Sequence, residues 1–143
     1  VRDLRTTTDT MVPLAAEGSG LGITDIHMGG RTLLWALRSS TATRVVTFDL
    51  DTHATRVVAQ GVVIESPATD GTVVVWAARD DLSGSCVVRG RTLGGGAEGG
   101  LGAEFEVGRP ATWPTSLAVG GEWATWAFDD GTWSYLDVVK FPR

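Results

Sequence analysis

The sequence predicts an all-β protein built from repeated antiparallel sheets, on the evidence of an internal repeat, strand-type alternation and Asp-Gly turns. The pattern Gly-x-x-x-x-Trp-Ala occurs at residues 30–36, 71–77 and 121–127. Its tryptophans are 41 and then 50 residues apart, a spacing typical of repeat architectures. Asp70-Gly71 and Asp130-Gly131 are strong signals for tight turns. Short strands joined by such turns are therefore expected along most of the chain.

The strands are predicted from two kinds of apolar pattern. Val46, Phe48 and Leu50 alternate with less apolar neighbours, the period of two expected for a pleated strand. Residues 73–76 are instead continuously apolar and rich in valine, which favours a strand covered on both faces. One repeat is predicted to hold four strands, and the next two repeats to begin at Ile64 and Thr115. The four strands are expected near residues 23–28, 32–37, 44–50 and 55–59.

The whole chain, residues 1–143, is predicted to form one domain divided by the repeat. The segments are approximately 1–20, which is partial, 21–61, 62–109 and 110–143. A weaker echo ending in threonine at residues 3–6, 49–52 and 89–92 indicates that the chain opens partway through a repeat. The longer second interval coincides with the glycine-rich residues 94–102, which are predicted to be an inserted, mobile loop.

A turn glycine, an apolar strand ending in Trp-Ala and a following strand ending in Asp-Leu-x-Thr resemble TolB-type and WD-like β-propeller repeats. The resemblance implies a partial β-propeller of about three four-stranded antiparallel blades, with Trp35, Trp76 and Trp126 packed between adjacent blades. An immunoglobulin-like β-sandwich is the alternative, but its strand order does not explain the repeat. Because a ring generally needs about four to eight blades, a second copy or the remainder of a larger propeller is the expected partner.

Composition excludes several classes of function. An apolar content of 43% supports a packed core, and 17 acidic against 12 basic residues give a net charge of −5. Nucleic acid is therefore not an expected partner. The longest apolar run, residues 73–78, is far shorter than the roughly 20 residues of a membrane-spanning helix, so no membrane span is predicted. The single cysteine, Cys86, excludes an internal disulfide and leaves the compartment open.

No catalytic residue, metal or cofactor is predicted. His27 and His53 do not lie at metal-ligand spacing from each other or from Cys86. Residues 94–99 fit the letters Gly-x-Gly-x-x-Gly, but the strand and helix of a dinucleotide site are missing around them. The alternating Asp49, Asp51 and His53 could hold a cation, yet turn chemistry explains them more simply. The pair Asp80-Asp81 is expected to lie exposed at a hairpin tip.

The candidate binding residues lie in the last third of the chain. Trp113, Trp123 and Trp133 fall outside the repeat position. Either they cover an incomplete blade or they form an aromatic surface for a protein or a sugar ring, and packing is the favoured interpretation. Asp129 and Asp130 are placed at another hairpin tip, where paired carboxylates could act as acid and base, although exposed turn residues are the commoner interpretation.

These observations favour a non-catalytic recognition or assembly module that presents propeller loops to a protein or glycan partner. A bacterial protein in an extracellular or cell-envelope location is expected, with the cytoplasm left open. One alternative is the propeller portion of a hydrolase whose catalytic domain lies elsewhere. Another is a sugar-binding propeller that uses the additional tryptophans.

Overall fold

A computed structural model describes residues 2–3, 8–9, 11–12, 21–94 and 100–141, and all regular elements in this part of the chain are β-strands. Two antiparallel strands of two residues each come first, β1 (Arg2–Asp3) and β2 (Thr8–Asp9). The first sheet contains β3 (Gly22–Gly29), β4 (Thr32–Arg38), β5 (Thr43–Asp49) and β6 (Thr55–Gly61). The second sheet contains β7 (Ile64–Thr69), β8 (Val73–Arg79), β9 (Cys86–Leu93) and β10 (Leu101–Gly108). The third sheet contains β11 (Ser116–Gly120), β12 (Trp123–Asp129) and β13 (Ser134–Lys140).

Each sheet is an antiparallel meander in which sequence neighbours are also spatial neighbours. The four strands predicted for residues 23–59 are found as β3 to β6, with ends that differ by one or two residues. None of the described residues forms a helix long and apolar enough to cross a membrane. The all-β prediction is therefore confirmed, as three antiparallel sheets of three or four strands.

The sheets stack face to face, with the second sheet in the middle. Successive residues of β8 point to opposite faces, and both faces are buried. Trp76 and its alternate neighbours join the apolar cluster shared with the first sheet, whereas Val75 and its neighbours join the cluster shared with the third. The prediction that residues 73–76 are covered on both sides is confirmed.

The three repeat tryptophans are buried and point in the same direction along the stack. Trp76 packs among first-sheet residues such as Val45, and Trp126 packs among second-sheet residues such as Val88. Trp35 points away from the second sheet and packs near Val12 and Leu21. In each sheet, the face that carries the repeat tryptophan therefore points toward the part of the chain that precedes the sheet.

The repeat glycines hold the turns between the first two strands of each sheet. Gly30, Gly71 and Gly121 have φ values of 54°, 94° and 58°, a region that favours glycine. A Cβ on Gly71 would lie 2.6 Å from the carbonyl oxygen of Gly29, so the first two turns meet backbone to backbone. The strand β7 also packs against both β3 and β11. The first strands of the three sheets therefore converge.

Candidate functional site

One face of the third sheet is apolar and open to solvent. Cross-strand partners share a face of a sheet, and the register places Leu136 opposite Ala127 and Val138 opposite Thr125. Trp123 lies on the same face and is 50% exposed, while Leu136 is 68% exposed. We call this surface the open face.

The repeat shows that the open face departs from an otherwise constant pattern of burial. The residue opposite the alanine of the Trp-Ala pair is Val45 in the first sheet, Val88 in the second and Leu136 in the third. Val45 and Val88 are both 0% exposed, because the following sheet covers them. This repeat position is thus fully buried in the first and second sheets and largely exposed in the third.

The open face ends at a strand edge that lacks a neighbour in the described part of the chain. In the first and second sheets the third strand pairs with a fourth, β5 with β6 and β9 with β10. In the third sheet β13 pairs only with β12 among the described residues. Its outer backbone groups can therefore pair with an added strand. At one border, Lys140 Nζ lies 5.9 Å from the Trp123 ring centroid and 3.2 Å from Glu122 Oε2.

The three candidate tryptophans do not form one surface. Trp113 is partly buried against the cluster between the second and third sheets, so the packing expected for it is found. Trp123 lies on the open face at the start of β12, and Trp133 is 68% exposed beyond the opposite end of that strand. Neither ring is packed in the described part of the chain: no described sheet covers the face that carries Trp123, and Trp133 lies in the turn between β12 and β13.

Asp129, Asp130 and Trp133 are brought together at the turn between β12 and β13, where the carboxylates shape the backbone. Asp130 Oδ1 accepts hydrogen bonds from the amides of Trp133 and Thr132, both at 2.9 Å. These two bonds lower the pKa of Asp130, and the hydroxyl of Tyr135 contributes further. Asp129 Oδ1 accepts from the Gly131 amide at 2.7 Å. Both aspartates therefore have a structural role in the turn.

Asp80 has a partner that its sequence neighbours do not reveal. The guanidinium of Arg109 donates to Asp80 Oδ2 at 2.6 Å, and the hydroxyl of Ser83 donates to the same oxygen at 2.8 Å. These bonds lower the pKa of Asp80 to about 2, and the bond from Arg109 contributes most. Arg109 also holds Glu106 through two nitrogens. Asp80 is thus not an exposed turn residue; its ion pair links the β8–β9 turn to the segment that follows β10.

The remaining motifs have structural explanations. Asp49 Oδ1 accepts from the amides of Asp51 and Thr52, and the Thr52 bond is the main reason why the pKa of Asp49 is lowered. His53 stacks on Phe48. Among the described residues, no three acidic, histidine or cysteine side chains come together as metal ligands would. Burial, with a contribution from the charge of Glu65, raises the pKa of the Cys86 thiol to about 11.

The glycine-rich stretch joins two antiparallel neighbours. β9 ends at Leu93 and β10 begins at Leu101, and these two residues are paired across the strands. A dinucleotide fingerprint would instead lie between a parallel strand and a helix. The predicted mobile inserted loop covers residues 94–102. Its last two residues, Leu101 and Gly102, are instead the start of β10, and residues 95–99 lie outside the described residues.

No protein-family model matches the chain, and no curated protein sequence matches it. Within the chain itself, the internal repeat supplies two covered sheets with which the open face can be compared.

Proposed function

We propose that the chain is a non-catalytic assembly module, a segment of a β-propeller whose open face packs against a further sheet of the same repeat. The observation that supports this most directly is Leu136, which is 68% exposed at a position that the stack otherwise buries completely. An exposed apolar sheet face next to an unpaired edge is typical of a surface that another chain or segment covers.

The stack indicates what kind of sheet would cover the open face. At both existing interfaces the covering sheet presents its repeat tryptophan, Trp76 over the first sheet and Trp126 over the second. The occupant is therefore a sheet with a Trp-Ala strand. The first sheet of a second copy is a poor source, because Val12 and Leu21 already lie against its Trp35 face. A further propeller segment is the better candidate.

The convergence of β3, β7 and β11 supports the radial arrangement of a TolB-type or WD-like propeller. In that arrangement the Trp133 hairpin remains exposed and available to a protein or glycan partner. An extracellular or cell-envelope location remains part of this proposal.

Light scattering on the purified chain, with a Leu136→Lys variant, tests the proposal. In the purified chain that further segment is absent, and two exposed open faces are expected to cover each other instead. The wild-type chain should therefore associate as its concentration rises, and the charged variant should return to the 15.1 kDa monomer. The variant should keep its thermal midpoint, because substitutions at exposed positions change stability by only about 0.5 kcal/mol.

The matched control is Val57→Lys, since Val57 is a half-exposed apolar residue on β6, at the outer edge of the first sheet. It should leave the association unchanged. A wild-type chain that stays a monodisperse 15.1 kDa monomer at all concentrations would contradict the assembly role.

A further inference from the structure

A mixed polar and apolar groove lies between the first two sheets, away from the open face. Its volume is about 660 Å³. One wall is residues 59–64, from the end of β6 to the start of β7, and the other is Arg79 with residues 81–84, at the β8–β9 turn. A smaller cleft of about 350 Å³ shares Arg79 with it and ends at Trp113. We call the two together the Arg79 groove.

Arg79 carries a positive charge that no ion pair in the described part of the chain neutralises. The repeat provides the comparison, because Arg38 occupies the same position one repeat earlier. The guanidinium of Arg38 lies 3.8 Å from Glu65 Oε1 and 3.9 Å from Asp25 Oδ2, and it also bonds the carbonyl of Ile64. One repeat later, Ser66 stands in the position of Asp25, so this carboxylate is lost.

None of the carboxylates that line the Arg79 groove forms an ion pair with Arg79. Arg89 and Glu104 pair with each other, and Glu104 also lies 3.5 Å from Arg91. Asp81 lines the main groove and Glu65 lines the smaller cleft, but neither is within ion-pair distance of Arg79. A guanidinium that has no ion-pair partner is suited to bind a carboxylate, through two parallel hydrogen bonds.

Two exposed apolar side chains line the same groove as Arg79. Val62 is 78% exposed on one wall and Leu82 is 98% exposed on the other. Aliphatic side chains of this kind favour apolar ligand groups. A sugar would need several exposed aromatic faces, whereas the aromatic lining residues are Trp76, which is buried, and Trp113 in the smaller cleft.

We propose that the Arg79 groove binds an extended peptide segment, with a carboxylate on Arg79 and neighbouring aliphatic side chains against Val62 and Leu82. The carboxylate comes either from an acidic side chain or from a peptide C-terminus. This site is independent of the open face, so each can fail without the other.

The probe is a library of random twelve-residue peptides, selected on the full chain and then measured by fluorescence polarisation. Peptides with a carboxylate next to aliphatic residues are expected to be enriched. Amidation of the peptide C-terminus abolishes binding if the terminal carboxylate is bound and leaves it unchanged if a side chain is bound.

Variants connect the binding to the groove. Arg79→Gln should weaken an enriched peptide about tenfold or more, as expected for loss of a charge-assisted hydrogen-bond pair. Leu82→Ser should weaken it less. The control is Arg31→Gln, which removes the same charge at an exposed pair with Asp51, next to the start of β4. It should not change the affinity.

Circular dichroism shows whether each variant is folded, and Arg79 and Leu82 are exposed enough for both to be replaced. An empty selection, enriched peptides that ignore Arg79→Gln in the folded variant, or binding of acidic oligosaccharides in place of peptides would each overturn the proposal. Unchanged peptide affinity in Leu136→Lys would separate this site from the assembly surface.

Discussion

A single carboxylate, that of Asp70, connects the turns of the second and third sheets. Its Oδ1 accepts hydrogen bonds from the Thr72 amide and hydroxyl, both at 2.8 Å, and from the Val73 amide at 2.9 Å. Its Oδ2 accepts from the amide of Gly121, the repeat glycine of the third sheet, at 3.0 Å. Burial raises the pKa of Asp70, but these hydrogen bonds outweigh it and the pKa is lowered. The ionised form is therefore the one that the fold stabilises.

We predict that Asp70→Asn lowers stability at pH 7 by about 1 kcal/mol, because an amide accepts these bonds less strongly than a carboxylate. The native pKa lies below the ordinary value of 3.8, so the contribution of Asp70 is complete above pH 3.8. It is lost as the pH falls through the native pKa. The difference between wild type and variant in urea denaturation should shrink below that pH.

The control for this prediction is Asp51→Asn, which removes a carboxylate from an exposed pair with Arg31. Exposed pairs contribute little, so this variant should match the wild type across the pH range. A stability difference for Asp70→Asn that does not change with pH would show that charge is not the cause.

Turn residues could be predicted from the sequence because their chemistry is local. Asp70-Gly71 and Asp130-Gly131 are turns as expected, and each aspartate accepts bonds from amides two or three residues further on. The ion pair between Asp80 and Arg109 could not be predicted, because 29 residues separate the partners. Their meeting depends on the path of β10.

At the scale of the elements, the second and third sheets approach closely at Gly108. A Cβ on this glycine, the last residue of β10, would lie 2.8 Å from Cη2 of Trp126. The indole is held from the other side, since Trp126 Nε1 donates to Asp137 Oδ2 at 3.0 Å. The ring therefore has little freedom to move away.

We predict that Gly108→Ala destabilises the protein by about 1 to 3 kcal/mol, as overpacking in a filled core does. Gly120→Ala is the matched control, because Gly120 is also the last residue of a strand and a Cβ there would meet nothing within 4 Å. That variant should be as stable as the wild type or slightly more so. Equal midpoints for both variants in urea denaturation would mean that the two sheets can separate without cost.

Strand positions were predictable because alternation and turns act over a few residues, and β3 to β6 match the expected ranges closely. The irregularities in β3 and β7, the first strands of the first and second sheets, could not be predicted. Asp25 and Ser66 occupy equivalent repeat positions and have φ values of 54° and 49° at register shifts in β3 and β7. Neither residue type signals such a bulge. Alternation likewise shows which residues share a face with Leu136, but not whether another sheet covers that face.

For the molecule as a whole, the stack is a series in which each sheet packs on its neighbours. Among the residues that the structure describes, the second sheet has apolar contacts on both faces, whereas the third has them on one. Structures assembled from nearest-neighbour interfaces often open locally, starting where fewest contacts hold an element. The third sheet should therefore be the least stable of the three.

We predict that amides of β12 exchange with solvent faster than those of β8 in native-state hydrogen exchange. The two strands are a matched pair, because β8 lies between β7 and β9 and β12 lies between β11 and β13. Both are seven residues long and central in their sheets. Their hydrogen bonding is thus alike, and what differs is that β8 is covered on both faces while β12 is open around Trp123 and Leu136. If both strands exchange only through one common unfolding event, the chain unfolds as a single unit and the open face is not its weak side. A sheet that docks on the open face should slow exchange in β12 and leave β8 unchanged.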